Sequence, residues 1–294
     1  MKDFSERFKP RLLLFLSVDI IDSTIHKYQA GFTPTWLTAF IDFYSEFPVL
    51  LNTGITKARE GCSEYNKIDS PKPEIWKSLG DEIIFVAEIY NHIQVAWLLE
   101  AMQIAVKDYN NKPIDGTSDS GLKIKAAVWT AGFPVQNVII PIEYNTDNLG
   151  SIGLQYDFIG RNIDLGFRIS KYSSQRKMII SNDVALLSSA FGSSKLKYYY
   201  EGSVSIKGLP TELKDYPLFW VDTFVGNGAE SESRLYNPVQ QSDMKEFVEG
   251  FYNSKSKYFM RPFINSDPIF NSPPNGYDVD LEAAIKAMSD PDAI

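Results

Sequence analysis

The sequence predicts an α+β fold, and three observations carry that expectation. Short apolar runs of strand length alternate with longer segments at helical spacing. Their order is mixed: strand, helix, strand, strand, helix, strand, then strand, helix, strand, with no internal repeat. Mixed order of this kind does not build a doubly wound parallel sheet. Apolar side chains make up 44% of 294 residues, enough for a sizeable core without disulfides or structural metal.

Residues 11–18 (RLLLFLSV) read as a strand buried on both faces. Thr33-Pro34 reads as a helix start, with Thr33 as N-cap and Pro34 in the first turn. That helix runs to about Phe47, presenting Leu37, Phe40, Ile41 and Tyr44, and residues 52–60 read as a strand. The polar stretch 61–74 reads as a loop, 82–88 as a second buried strand, 91–110 as a helix and 111–120 as a loop. Residues 122–131 alternate as a strand, and 135–143 with 152–158 form a strand pair joined by a polar loop. Residues 160–172 have helical spacing. Residues 177–181 read as a strand, 182–191 as a short helix, and 196–224 as two or three further strands. Composition then shifts to Gly, Ser, Asn and Pro, with helix-like stretches at 243–252 and 280–288. The expected organisation is one main domain followed by a C-terminal appendage over 225–294 that packs on the domain or on a partner chain.

Composition excludes several classes of function. A single cysteine, Cys62, leaves no intramolecular disulfide and no Cys-based zinc site. The two histidines, His26 and His92, have no ligand spacing, which argues against a His-rich metal centre or a Ser-His-Asp hydrolase. A formal net charge of -8 gives no basic face for nucleic acid. The first residues are charged and lack an apolar signal core, and no run reaches the roughly 18–20 apolar residues that span a bilayer. The expectation is a soluble, cytoplasmic protein with no membrane insertion.

Two aspartates carry the chemistry. Asp19 ends the first apolar run, and Asp81 lies in Lys77-Ser78-Leu79-Gly80-Asp81, directly before Ile83-Ile84-Phe85-Val86. Carboxylates at strand ends beside a tight Gly turn are poorly placed for a core and well placed for a hard cation. A pair on adjacent strands can hold two Mg²⁺ or Mn²⁺ ions over a triphosphate. Taken singly, each of these residues also has an ordinary reading. Asp19 and Asp81 could cap strand ends, Lys77 could be a surface lysine, Asp157 a turn former, Arg168 an ion-pair partner, and Ser17 a small residue tolerated in a buried strand. Glu82 follows Asp81 onto the opposite side of the chain and reads as structural.

Three segments together resemble the class III nucleotidyl cyclase catalytic domain: Phe15–Thr24 (FLSVDIIDST), Lys77–Glu82 (KSLGDE) and Gln155–Arg168 (QYDFIGRNIDLGFR). The resemblance covers about residues 10–224. It implies a ferredoxin-like core sheet with flanking helices and a head-to-tail homodimer with two sites at its interface. It makes Asp19 and Asp81 the metal carboxylates and the Ile20 carbonyl a further ligand, with two divalent cations, Mn²⁺ or Mg²⁺, per site. It turns Ile21, Asp22, Ser23 and Thr24 toward the β- and γ-phosphates. Lys77 and Asp157 of the partner chain meet the base edge, and Arg168 meets the transferring phosphate.

The chain departs from the family pattern in three places. Asp164 stands where cyclases that make cAMP carry an Asn; it cannot donate a hydrogen bond unless protonated, and an orienting role toward Arg168 is the alternative. Ser17 replaces an apolar wall of the base pocket. In Ile206-Lys207-Gly208-Leu209 only Lys207 remains to serve the terminal phosphates. These departures, the long 61–74 loop and the aromatic appendage resemble the pyrimidine cyclases of Pycsar anti-phage systems. That resemblance implies UTP converted to 3′,5′-cyclic UMP and pyrophosphate, read by a separate effector. Lys77 and Asp157 do not settle the base, because a donor-only and an acceptor-only side chain suit adenine, cytosine and, after a small shift, uracil. Trp76, Arg59 and Phe158 are candidates to fill the space a purine would need, and Ser17 is a candidate to bond the base. Cytidylate or adenylate cyclisation, or a silent nucleotide-binding regulator, are the alternatives.

Overall fold

The computed structural model describes residues 8–31, 36–112, 122–145, 152–210, 215–226 and 229–289. The expected cap at Thr33-Pro34, most of the 111–120 loop and the loop joining the strand pair lie outside the described residues.

β1 (Arg11–Ile20) runs through the middle of a seven-stranded sheet. It pairs antiparallel with β3 (Glu82–Ile89) on one side and with β4 (Ile124–Phe133) on the other. β2 (Glu74–Leu79) forms a hairpin with β3 and makes one edge. β7 (Lys177–Ile180) joins β4 in parallel, and β9 (Tyr216–Asp222) and β8 (Tyr198–Val204) continue antiparallel to the other edge. A separate two-stranded ribbon consists of β5 (Asn137–Asn145) and β6 (Ile152–Gly160).

The unbroken apolar run of β1 follows from burial on both faces. Leu12, Leu14, Leu16, Val18 and Ile20 enter the larger core, under α2 (Trp36–Gly61), α3 (His92–Asn110) and α5 (Asn182–Ser189). Leu13 and Phe15 enter a second, aromatic core with Trp76, Trp129, Phe158 and residues of α4 (Arg161–Ile169). Asp19 and Ser17 share the face of Leu13 and Phe15, because alternate residues of a strand point the same way.

Two expectations are corrected. Residues 52–60 are not a strand but the second half of α2. Phe40, Phe43, Phe47, Leu51, Ile55 and Ala58 form one continuous buried stripe at helical spacing. Gly54 lets α2 approach so closely that a β-carbon there would strike the carbonyl of Ala101 in α3. Pro48 removes one backbone donor inside α2, and the packing of this stripe outweighs that loss. Second, β2 occupies residues that carried no strand expectation, and a turn of 3₁₀ helix (Ser63–Lys67) interrupts the 61–74 loop. A short helix, α1 (Ser23–Gln29), also follows β1 directly.

Beyond residue 225 the chain packs against the rest of the same protein. After the short α6 (Ala229–Ser233), α7 (Gln241–Lys255) sends Met244, Val248 and Tyr252 into the larger core beside α5. The following segment contributes Ile264 and Phe270 to the same core. Asp267 closes it onto the start of α3: its carboxylate accepts from the backbone N–H of His92 (2.6 Å) and lies 2.7 Å from His92 Nδ1. α8 (Tyr277–Ser289) is anchored by the buried Tyr277. Among the described residues, no helix is long and apolar enough to cross a membrane.

Candidate active site

The β2–β3 hairpin closes with two residues, Gly80 and Asp81, between the paired Leu79 and Glu82. Gly80 holds φ at 73°, the left-handed conformation a two-residue hairpin needs at its first turn position. The Tyr44 hydroxyl from α2 donates to the Gly80 carbonyl (3.0 Å) and fixes the tip. The Asp81 carbonyl then accepts from the N–H of Ile20 (3.1 Å), so the turn is locked against the end of β1. Asp19 and Asp81 are brought together in this way, close enough for each carboxylate to feel the other's charge. Ser23, at the start of α1, donates its hydroxyl to Asp81 Oδ2.

The register adds two residues to this group. Asp19 lies directly between Glu82 on β3 and Lys125 on β4. Lys125 Nζ stands 3.2 Å from Asp19 Oδ2. Ser17 Oγ donates to Glu82 Oε1 (2.5 Å). Burial pushes the Asp19 carboxyl above its ordinary range; Lys125 pulls it back and Asp81 pushes it further up. Burial likewise raises Glu82, the Ser17 bond opposes it, and Asp19 and Asp81 add to the rise. The hydroxyl of Tyr44 is raised by burial and by the same three acids. The cluster is thus short of positive charge. All its side-chain acceptors are oxygen, and with the Ile20 carbonyl they form a donor set suited to a hard divalent cation. Among the described residues, no three His, Cys, Asp or Glu are already arranged as a complete cage. Asp19 and Asp81 thus offer oxygen ligands to a cation without completing a coordination sphere by themselves.

A second group lies where β2 meets β6. A bulge between Ile75 and Lys77 turns the consecutive Trp76 and Lys77 toward the same side of the sheet. Trp76 enters the aromatic core, edge-on to Phe15 and Phe158, and donates its Nε1 proton to the Tyr156 carbonyl (3.2 Å). Lys77 Nζ sits 3.9 Å from the centre of the Trp76 ring and 2.7 Å from Asp157 Oδ1. Lys77 and Asp157 are therefore an ion pair within one chain, beside an aromatic wall.

The third group is built on α4. Its start is cinched by the buried Asn137, whose Oδ1 accepts from the Asn162 N–H (3.1 Å) and whose Nδ2 donates to the Gly132 carbonyl (2.8 Å) and to Asn162 Oδ1 (2.9 Å). Gly160 permits the approach, at φ 143° and with no room for a β-carbon against Gln136 and Asn137. Gly166 in turn lies flat on the Trp129 ring. α4 buries Ile163, Leu165 and Ile169, leaving Asp164 exposed and Arg168 half-buried one turn later. Arg168 rests on Gly208, whose φ is 85° and where any β-carbon would strike the guanidinium. Lys207 is exposed on the same turn. Among the described residues, no ion pair joins Asp164 to Arg168, and no hydrogen bond or ion pair joins the Asp19–Asp81 group to either of the other two.

The structure changes four assignments. Ser17 gives its hydroxyl to Glu82 rather than to a base. Glu82 lies abreast of Asp19 in the acidic cluster, not away from it, because Asp81 belongs to the turn and only Glu82 starts the strand. Arg59 bonds Asn66 (2.7 Å) on the α2 side of the sheet and cannot wall a pocket beside Trp76. The Ile21 N–H already donates to the Lys123 carbonyl (2.8 Å), so that amide does not face a phosphate. Asp22 takes a left-handed turn, φ 55° and ψ 29°, and launches α1. Lys125, Asn137 and Gly208 carried no sequence-based assignment.

No protein-family model matches the chain, and no curated protein matches it. Solved structures do. The guanylate cyclase domain of RhGC from Catenaria anguillulae, crystallised in complex with GTP, superposes with a TM-score of 0.50 at 11% identity, over 73% of this chain and 97% of that one. The fold is that of a class III nucleotide cyclase domain. Two further solved structures are matched more weakly. The adenylyl cyclase CyaB from P. aeruginosa gives 0.41 at 15% identity, over 74% of this chain and 97% of that one. An adenylate cyclase from Trypanosoma brucei gives 0.46 at 11% identity, over 71% and 89%. On this cyclase fold, the Asp19–Asp81 group, the Lys77–Asp157 pair and Arg168 are three clusters of one monomer.

Proposed function

We propose that this protein is a nucleotidyl cyclase that converts UTP to 3′,5′-cyclic UMP and pyrophosphate in a head-to-tail homodimer. The observation that carries the reading is the locked pair Asp19 and Asp81, crowded at adjacent strand ends and short of positive charge, on a cyclase fold. Two divalent cations held by Asp19, Asp81 and the Ile20 carbonyl would supply the charge that activates the ribose hydroxyl and neutralises the triphosphate.

The chain's own residues bind and orient. Ser23 steadies Asp81, while Asp22 and Thr24 flank it in the turn above the phosphates. Lys77 and Asp157 read the base edge. Arg168, seated on Gly208, meets the phosphoryl oxygens with a planar fork, Asp164 lies exposed one turn before it, and Lys207 attends the terminal phosphates. The 3′-oxygen bonds to the α-phosphorus as the bond to the bridging oxygen breaks; pyrophosphate leaves and the hydroxyl proton is lost. Acceleration rests on positioning and electrostatics.

The preference for a one-ring base is supported by Trp76 and Phe158. They stand beside the Lys77–Asp157 pair, packed edge to face with centroids 5.1 Å apart, and in this reading they are the wall that leaves room for one ring only. In this reading the cyclic nucleotide is a signal of anti-phage defence received by a separate effector. Dimerisation is supported by the apolar side chains that the β5–β6 ribbon and β2 leave in solvent: Ile142 at 43%, Ile159 at 48% and Ile75 at 52% exposure. The deciding experiment incubates the protein with each of the four nucleoside triphosphates and Mn²⁺ and identifies products by mass. Cyclic UMP as the main product is expected. Faster turnover of ATP or CTP removes the base assignment, and nucleotide binding without any cyclic product makes the protein a silent regulator.

A further inference from the structure

Glu82, Asp19 and Lys125 stand abreast on β3, β1 and β4, on one face of the sheet. Side chains so paired across antiparallel strands are nearest neighbours, with β-carbons about 4.5–5.5 Å apart. Ser17, two residues before Asp19 on that face, ties down Glu82. Asp81 completes the acidic group from the hairpin turn, and Ser23 and Tyr44 are its other polar neighbours. Lys125 is the cation on this group. The neighbouring Lys123 is committed elsewhere, its Nζ donating to the Asn110 carbonyl (2.8 Å). Lys125 Nζ is 3.2 Å from Asp19 Oδ2, on the carboxylate the cyclase reading gives to a metal.

An ammonium and a divalent ion cannot share one carboxylate without repulsion, and an ammonium is a donor with no lone pair to offer a metal. We propose that Lys125 is the resident counter-cation of Asp19, displaced when a divalent ion binds, and that it thereby sets the metal affinity of the site. The inference rests on the two-metal reading of Asp19 and Asp81. It makes Lys125 a positioning residue that keeps the acidic cluster folded and neutralised while empty. It also keeps metal affinity low until a triphosphate brings further ligands.

The test is a titration of the full chain with Mn²⁺ alone, followed by loss of the free-ion electron paramagnetic resonance signal. Wild type, Lys125→Met, Lys125→Gln, Lys125→Arg and Asp19→Ala are compared, each checked for an unchanged circular dichroism spectrum. Removing a unit charge a few ångströms from the ion, partly screened by solvent, is expected to tighten Asp19-dependent Mn²⁺ binding by about tenfold in the Met and Gln variants. The Arg variant, which keeps the charge, is expected to match wild type. Asp19-dependent binding that is unchanged or weaker in both Met and Gln variants overturns the role of Lys125 and leaves the metal site standing. No Asp19-dependent binding in wild type or in either variant overturns the two-metal reading and this inference with it.

Discussion

Arg168 owes its position to a residue that has no side chain. Gly208 adopts φ 85°, which L-residues with a β-carbon rarely take, and its α-carbon lies where the guanidinium of Arg168 needs to pass. Gly208→Ala is therefore expected to push the guanidinium aside while leaving the exposed turn and the core in place. If Arg168 meets the transferring phosphate, that displacement lowers kcat by about a hundredfold, the order expected for an ångström of misplacement, with little change in KM. Steady-state kinetics beside a thermal melt checks it, and an unchanged kcat removes Arg168 from the reacting centre. The residues that local sequence signals single out are Asp19 and Asp81, by strand ends and a Gly turn, and Asp157 and Arg168, by a helix start. Lys125 and Glu82 were not legible as partners of Asp19. Their meeting depends on the register of three strands, with Glu82 63 positions after Asp19 and Lys125 43 positions after Glu82, and no local pattern states a register.

At the scale of elements, two buried acids hold the C-terminal segment to the domain and should respond to pH in opposite senses. Asp183, at the start of α5, accepts from Thr130 (3.1 Å) and from the Tyr252 hydroxyl of α7. Burial raises its carboxyl from 3.8 to about 6, against the pull of those two bonds. A folded-state value above the unfolded one means a stabilising contribution complete below pH 3.8 and lost as pH rises through 6; the loss amounts to up to about 3 kcal/mol. Asp267 goes the other way. Burial raises it, but bonds from His92 and from the backbone N–H groups of His92, Ile269 and Phe270 prevail and hold it down to about 2. Its contribution is present above pH 3.8 and lost as pH falls toward 2. Urea unfolding of wild type and Asp183→Asn at pH 4 and pH 7.5 separates them: the variant's stability relative to wild type should rise with pH by about that amount. A pH-independent difference would show that Asp183 stays ionised throughout. The elements themselves were mostly legible, since α3, β4 and α4 follow a plain period and β1, β3 and β7 are short apolar runs of strand length. The failures have physical causes. Pro48 sits within α2 although Phe47, Leu51 and Ile55 continue its stripe, and the bulge at Trp76 breaks the alternation that would have marked β2.

At the scale of the whole molecule, the Asp19–Asp81 group shares no hydrogen bond or ion pair with the other two clusters among the described residues, and the apolar faces of the β5–β6 ribbon and β2 lie open. In the proposed homodimer, two copies arranged head to tail would bring the Asp19–Asp81 group of one against the Lys77–Asp157 pair and Arg168 of the other, and would cover those faces. This arrangement makes a sharp expectation for mixed dimers. In a dimer of one Asp19→Ala chain and one Arg168→Ala chain, one interface site collects both defects and the other has neither. Mixing two separately inactive proteins should then restore activity, approaching a quarter of wild type after statistical exchange of equal amounts. Half the dimers are mixed, and each has one intact site of two. If each site were built from a single chain, every site in the mixture would carry one defect and activity would stay at background. The experiment requires that subunits exchange, which differently tagged wild-type chains and a pull-down can establish beforehand. Ile142→Asp supplies the structural counterpart: a charge on the open ribbon face should shift the protein from dimer to monomer by light scattering and abolish turnover. A monomeric protein that remained fully active would return the whole site to one chain.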